Sequence, residues 1–136
     1  MGSTKDDSSM PDLPLLGMSI LIVNEDLGTR EMMSRMIEEL GAAVDKVDQA
    51  AEALEVLSHN SYDAVMLDET VACVNTHELA EVVKIRSKNA NTSVIISGSI
   101  ILDKEEALEA GADEYVEVPC HPSKLLESLI KSQVHH

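Results

Sequence analysis

Tyr62-Asp63-Ala64-Val65-Met66-Leu67-Asp68 is the stretch whose reading decides the fold. Ala64 to Leu67 run without a charge and end in a carboxylate. An apolar run with no polar alternation is the pattern of a strand covered on both faces. An aspartate that closes such a strand lies at the carboxyl edge of a sheet, where open α/β sheets gather ligands and chemistry. Asp68 is therefore the residue against which the rest of the chain is weighed.

Working outward, short apolar strands alternate with amphipathic helices. Ile20 to Val23 predicts a first strand that stops at Asn24-Glu25-Asp26. Met32, Met33, Met36, Ile37 and Leu40 recur at helical spacing over Gly28 to Leu40, with Gly41 just past the end. Ala43 to Val47 reads as a second strand, and Ala50 to Leu57 as a helix with Ala53, Leu54 and Leu57 inward and Asp48 as its cap. After the Tyr62 to Leu67 strand, a loop from Asp68 to about Val74 leads to a third helix presenting Leu79, Val82, Val83 and Arg86. Val94-Ile95-Ile96 is the fourth strand, ending at Ser97-Gly98-Ser99. A fourth helix is expected from Asp103, with Glu106 at capping distance, to Gly111. Tyr115 to Val118 is the fifth strand. Pro122 opens a last helix that presents Leu125, Leu126, Leu129 and Ile130.

This βαβαβαβαβα order predicts an α/β fold with a parallel sheet and helices on both faces. Right-handed crossovers and five strands suit the flavodoxin-like (βα)5 winding, strand order 2-1-3-4-5.

Composition narrows the function. A chain of 136 residues is one domain with a real core. It has no Trp or Phe and only two Tyr, so the core is aliphatic, and the scarcity of aromatics argues against stacking on bases or a flavin. A net charge of −15 repels phosphate backbones and anionic lipid, which argues against nucleic-acid binding. Two cysteines, Cys73 and Cys120, are no disulfide framework, and a reducing cytoplasmic setting is expected. No apolar stretch is long enough for a membrane span. Residues 1–17 read as a flexible leader, its start tag-derived in composition, in which Leu15 and Leu16 could pack on the domain or on a neighbour. Residues 18–133 form the folded domain, and 134–136 a tail whose His135-His136 reads as a tag remnant.

In this winding the first, third and fourth strands are neighbours. Glu25, Asp68 and Ser97 should then face one small space. Two carboxylates and a hydroxyl suit Mg²⁺, which takes one or two carboxylates, keeps waters and bridges to phosphoryl oxygens. Asp68 would then be a phosphate-accepting carboxylate.

Four segments carry a resemblance at this point: Ile20-Leu21-Ile22-Val23-Asn24-Glu25-Asp26, Tyr62-Asp63-Ala64-Val65-Met66-Leu67-Asp68, Val94-Ile95-Ile96-Ser97-Gly98 and Ala110-Gly111-Ala112-Asp113-Glu114-Tyr115. In order and at this spacing, they resemble a response-regulator receiver domain of two-component signalling over roughly Met18 to Gln133. The resemblance implies that Asp68 is the phosphoacceptor, that Glu25 binds metal directly, and that Asn24 stands where an acid binds it through water. It implies that the Thr70 backbone carbonyl is a metal ligand, that Ser97 follows the phosphoryl group, and that Gly98 leaves it room. Tyr115 corresponds to the aromatic that swings inward on activation, and the Val118–Pro119 bond would be cis. Three departures stand out. Asn24 is neutral where the family has an acid, Glu25 is longer than the usual Asp, and Val118 stands where a lysine would hold a phosphoryl oxygen.

Two readings remain open. One is a receiver with weak Mg²⁺ binding and slow phosphorylation from a histidine kinase or histidine phosphotransfer domain. The other is a pseudo-receiver that works as a phosphorylation-independent interaction module. A homodimer through the last two helices and the fifth strand is a further expectation. The leader Leu13-Pro14-Leu15-Leu16-Gly17-Met18 resembles the joint before a receiver in hybrid histidine kinases. A phosphohydrolase would want an aspartate at Thr70, and a flavodoxin a phosphate loop after the first strand. Neither is present, and the domain is not expected to be an enzyme. Cys73, His77, Cys120 and His121 are zinc-type residues at no recognised finger spacing. Glu105, Glu106 and Glu109 read as a solvated face.

Overall fold

The computed structural model describes residues 13–69, 91–98, 104–109 and 111–134. Five strands and four helices are described: β1 (Ser19–Val23), α1 (Leu27–Glu39), β2 (Ala43–Val47), α2 (Ala50–His59), β3 (Ala64–Asp68), β4 (Ser93–Gly98), α3 (Lys104–Glu109), β5 (Glu114–Glu117) and α4 (Pro122–Val134). Thr70, Cys73, Val74, His77, the expected helix with Leu79, Val82, Val83 and Arg86, Ser99 and Asp103 lie outside the described residues.

The strands form one parallel sheet in the order β2-β1-β3-β4-β5, as the alternating pattern predicted. Burial explains the uninterrupted apolar runs. Ala64, Val65, Met66 and Leu67 of β3 are all fully buried, because successive side chains enter different cores. Val65 and Leu67 join Ala53 and Leu57 of α2 and Ala107 of α3 on one face. Ala64 and Met66 join Met33 and Ile37 of α1 and Leu125 and Leu129 of α4 on the other.

Side chains tie the amino edge. The Asp63 carboxylate accepts from Ser19 N at 2.8 Å, and that of Asp113 accepts from Val94 N at 2.8 Å. Gln133 of α4 donates through Nε2 to the Asp63 carbonyl and to Ser93 Oγ, both at 3.1 Å. The buried Tyr62 hydroxyl donates to the Asp45 carboxylate.

The leader packs on the domain. Leu15 is fully buried in the α1–α4 core, and its N–H donates to Leu40 O at 2.9 Å, whereas Leu16 is 71% exposed. Gly41 makes this possible. Its φ is +108°, and a Cβ there would lie 3.0 Å from the Leu13 Cβ.

Some local expectations need correction. α2 begins at Ala50, so its N-cap is Gln49, which makes no side-chain cap bond; Asp48 stands one residue too early to cap. Ile130 is 45% exposed, and the small Ser128 and Ser132 are buried on α4 instead. Both serines turn their hydroxyls back to carbonyls of their own helix, so they fit a close contact that Ile130 does not reach. β4 runs on through Ser97 and Gly98, and β5 stops at Glu117, leaving Val118 in the bend before a cis Val118–Pro119 bond.

Leu15→Ala should cost about 2–5 kcal/mol of unfolding free energy, because it empties a filled core position. Urea denaturation measures it, and a loss under about 1 kcal/mol would show that the leader is no part of the folded unit.

Candidate functional site

The sheet delivers the candidate residues to one edge. Val23 of β1 pairs with Leu67 of β3, so the residues after Val23 emerge level with Asp68. Asp68 pairs in register with Ser97 of β4. Ser97 in turn pairs with Val116 of β5, and Gly98 with Glu117. Ser97 is buried, while Asp68 is half-buried. Asp68 thus ends its strand in register with the buried Ser97.

The turn after β1 is built by two side chains. Asn24 is buried, and its Oδ1 accepts from Asp26 N at 2.8 Å, which fixes the turn. The Asp26 carboxylate accepts from Thr29 N at 2.8 Å and caps α1. Those two side chains are spent on the backbone, and Glu25 between them is exposed. Arg30, one turn into α1, donates through its guanidinium to the Asn24 carbonyl at 2.8 Å. Sequence reading passed over Arg30. The available signal was a cation four residues after the capping Asp26, on the turn of the helix that faces back toward the loop.

Hydrogen bonds from Thr29 hold the Asp26 carboxyl below its ordinary range, and Arg30 adds a smaller attraction. A carboxyl depressed by folding stabilises the native state above its unfolded value of about 3.9, and that stabilisation is lost as pH falls through the folded value.

The phosphoryl-side residues differ from the expected set in one respect. Val118, at the expected lysine position, is buried in the α1–α4 core, and its N–H donates to Gly98 O at 2.9 Å. It supplies packing and no charge. Gly98 is itself covered: the Glu69 side chain lies against it, and Glu69 is buried at 4% exposure. Glu69 was missed because an acid after a strand-ending Asp reads as one more solvated loop charge. Tyr115 is half-buried against the α2–α3 core.

Whether the edge can hold a divalent cation follows from its donors. Glu25 and Asp68 are hard carboxylate oxygens on adjacent strand ends, which is the number Mg²⁺ takes when it keeps several waters. Thr70 lies outside the described residues. Among the described residues no group of three or more His, Cys, Asp and Glu side chains is gathered for a metal. Burial raises the Cys120 thiol above its ordinary value, and His121 Nδ1 lies 2.9 Å from Ser123 Oγ.

A separate groove of about 960 Å³ runs between β5 and α4. It is lined by Tyr115 and Glu117 and by Lys104, Lys124 and Lys131, and not by Glu25, Asp68 or Ser97. No described helix is long and apolar enough to cross a membrane.

The wild type should exceed Asp26→Ala in stability at pH 7, with the gap closing as pH falls below about 4. Thermal unfolding of both proteins across that range measures it. A gap independent of pH would remove the Asp26 cap from the account.

The chain is similar to several known proteins. A probable transcriptional regulatory protein SilR from Salmonella typhimurium is 29% identical over 109 residues, which cover 80% of this chain and 48% of that protein. The response regulator MprA from Mycobacterium sp. (strain KMS) is 27% identical over 107 residues, covering 79% of this chain and 46% of that protein. The chain thus spans about half the length of these curated relatives. Among solved structures, a response regulator receiver domain from Methylobacillus flagellatus superposes with a TM-score of 0.71 at 26% identity, over 82% of this chain and 98% of that one. The receiver domain of a sensor histidine kinase from Pseudomonas aeruginosa, solved with a magnesium ion coordinated in its active-site cleft, superposes with a TM-score of 0.74 at 20% identity, over 87% of this chain and 98% of that one. The response regulator receiver domain family model matches residues 20–130, from the first strand well into the last helix. With that span matched and the sheet wound in the same order, the chain belongs to the response regulator receiver domains of two-component signalling.

Proposed function

We propose that this domain receives a phosphoryl group on Asp68, slowly, from a phosphohistidine of a histidine kinase or histidine phosphotransfer domain. The observation that carries the reading is the register of Asp68 against Ser97 at the carboxyl edge. An Asp68 carboxylate oxygen attacks phosphorus, the donor's N–P bond breaks, and the leaving imidazole takes up a proton. Ser97 would donate its hydroxyl to a transferred phosphoryl oxygen, and Asp68 would carry the acyl phosphate. Mg²⁺, held by Glu25, Asp68 and the Thr70 carbonyl, with Asn24 reaching it through water, would supply positive charge against the phosphoryl oxygens when bound. The related Pseudomonas aeruginosa domain, solved with magnesium, supports this ligand.

Two features slow the reaction. Val118 brings no ammonium to the phosphoryl oxygens, and the Asn24 side chain is engaged in its turn. The same two features favour the second reading, a pseudo-receiver that binds partners without phosphate. In either reading the domain acts by association rather than turnover, and the cytoplasm is its expected setting. Residues 18–133 would be the signalling unit. Tyr115 would report the state of the edge through the groove beside β5 and α4. That surface is the expected homodimer contact.

Incubation with Mg²⁺ and acetyl phosphate, or with a phosphorylated histidine phosphotransfer protein, followed by intact-mass measurement, tests the proposal. One phosphoryl adduct is expected on the wild type and none on Asp68→Asn. Absence of an adduct from both donors would leave only the pseudo-receiver. Val118→Lys should raise the rate of adduct formation by about tenfold or more, since it adds a positive charge on the residue whose N–H bonds the Gly98 carbonyl, next to Ser97. An unchanged rate would mean that the missing lysine is not what limits the site.

A further inference from the structure

The last helix is capped by a side chain that works in only one protonation state. α4 begins at Pro122, so His121 stands at the N-cap, and its carbonyl accepts from Lys124 N at 2.9 Å and from Leu125 N at 3.4 Å. The imidazole completes the cap: Nδ1 accepts from Ser123 N at 3.1 Å. A Ser, Asp or Asn at an N-cap makes the same bond with an oxygen. A ring nitrogen accepts only while it carries no proton, so this geometry requires the neutral ring with its hydrogen on Nε2. Ser123 Oγ lies 2.9 Å from the same Nδ1. In the imidazolium, Nδ1–H would donate to that hydroxyl and would set its hydrogen against the Ser123 N–H. The cation would also sit at the positive end of the α4 dipole. Both effects run the same way, and protonation removes the cap.

We propose that His121 is a proton-operated cap that holds the first turn of α4, and with it one wall of the groove between β5 and α4, in place at neutral pH and releases it in mild acid. His121 is exposed, so solvent protons reach it, and it lines that groove together with Lys124, which lies in the first turn. The other charged and titratable groups around the groove come from each element that borders it. Lys104 comes from α3, Glu114, Tyr115 and Glu117 from β5, Cys120 from the bend, and Glu127 and Lys131 from α4. Lys124 and Lys131 stand 3.8 Å and 3.6 Å from Glu127. Side chains of these kinds ordinarily keep their protonation through the interval in which histidine changes its charge. Burial moves the Cys120 thiol further above that interval. His121 is then the group on this wall that takes up a proton there. The sign follows from the bond: the neutral ring caps α4, so the stabilisation is present on the alkaline side of the interval and is lost as pH falls through it. This cap works whether or not Asp68 takes a phosphoryl group.

Wild type, His121→Asn and His121→Ala, each as the full chain, separate the cap from other effects of acid. Asn caps at every pH in the interval, and Ala caps at none. In urea denaturation the wild type should match His121→Asn at about pH 8 and fall to His121→Ala or below at about pH 5. Its unfolding equilibrium constant relative to His121→Asn should rise about fivefold between the two conditions, the factor that an ordinary N-cap carries. Amide NMR gives a local readout. The Ser123 amide resonance should move together with the His121 ring resonances as pH falls, and it should stay in place in His121→Asn. A wild type that keeps a constant ratio to His121→Asn at both pH values would overturn the cap, and so would a Ser123 amide that does not follow the His121 ring.

Discussion

The register of β3 between β1 and β4 is the constraint on which the rest of the structure depends. A parallel strand buried on both faces cannot slip by one residue without exchanging the contents of two cores. Val65 and Leu67 would leave the α2–α3 side for the α1–α4 side, and Ala64 and Met66 would make the reverse move. The amino-edge bonds of Asp63, Asp113 and Gln133 hold the same alignment from below. Asp68 stands in register with Ser97 because apolar packing along the strand fixes that alignment. The site is thus positioned by the core, and its chemistry was free to vary.

That variation has a consistent direction. The edge carries a carboxylate, Asp68, in register with a hydroxyl, Ser97, and brings no lysine at Val118. Val118 is part of the hydrophobic core, and Arg30 spends its guanidinium on a backbone carbonyl. Glu69 is buried against Gly98 in the same place.

Most of the fold was legible because burial on both faces writes itself as uninterrupted apolar runs. β1, β3 and β4 were recognisable from their apolar runs, and the order of the strands followed from the alternation with helices. Asp48 and Ile130 were misread because one residue of helix phase decides a cap and a few tens of degrees decide a buried face. The close packing of α4 uses Ser128 and Ser132, whose small polar side chains do not register as apolar periodicity. At the site, Asp68, Glu25 and Ser97 were visible because strand ends announce themselves. Arg30 and Glu69 were not, because their roles come from tertiary contacts, with a loop carbonyl and with the missing side chain of Gly98. Gly98 read as room left for a phosphoryl group, and the structure shows Glu69 lying against it.

The central claim is that the Asp68 edge still takes a phosphoryl-like anion. Beryllium trifluoride, which stands in for a phosphoryl group on a carboxylate, tests it without a kinase when added with Mg²⁺ and followed by amide NMR shifts. The account predicts changes centred on Glu25, Asp68, Glu69, Ser97 and Gly98 that require both additives and vanish in Asp68→Asn. Spectra that do not change, or that change equally in Asp68→Asn, would contradict it.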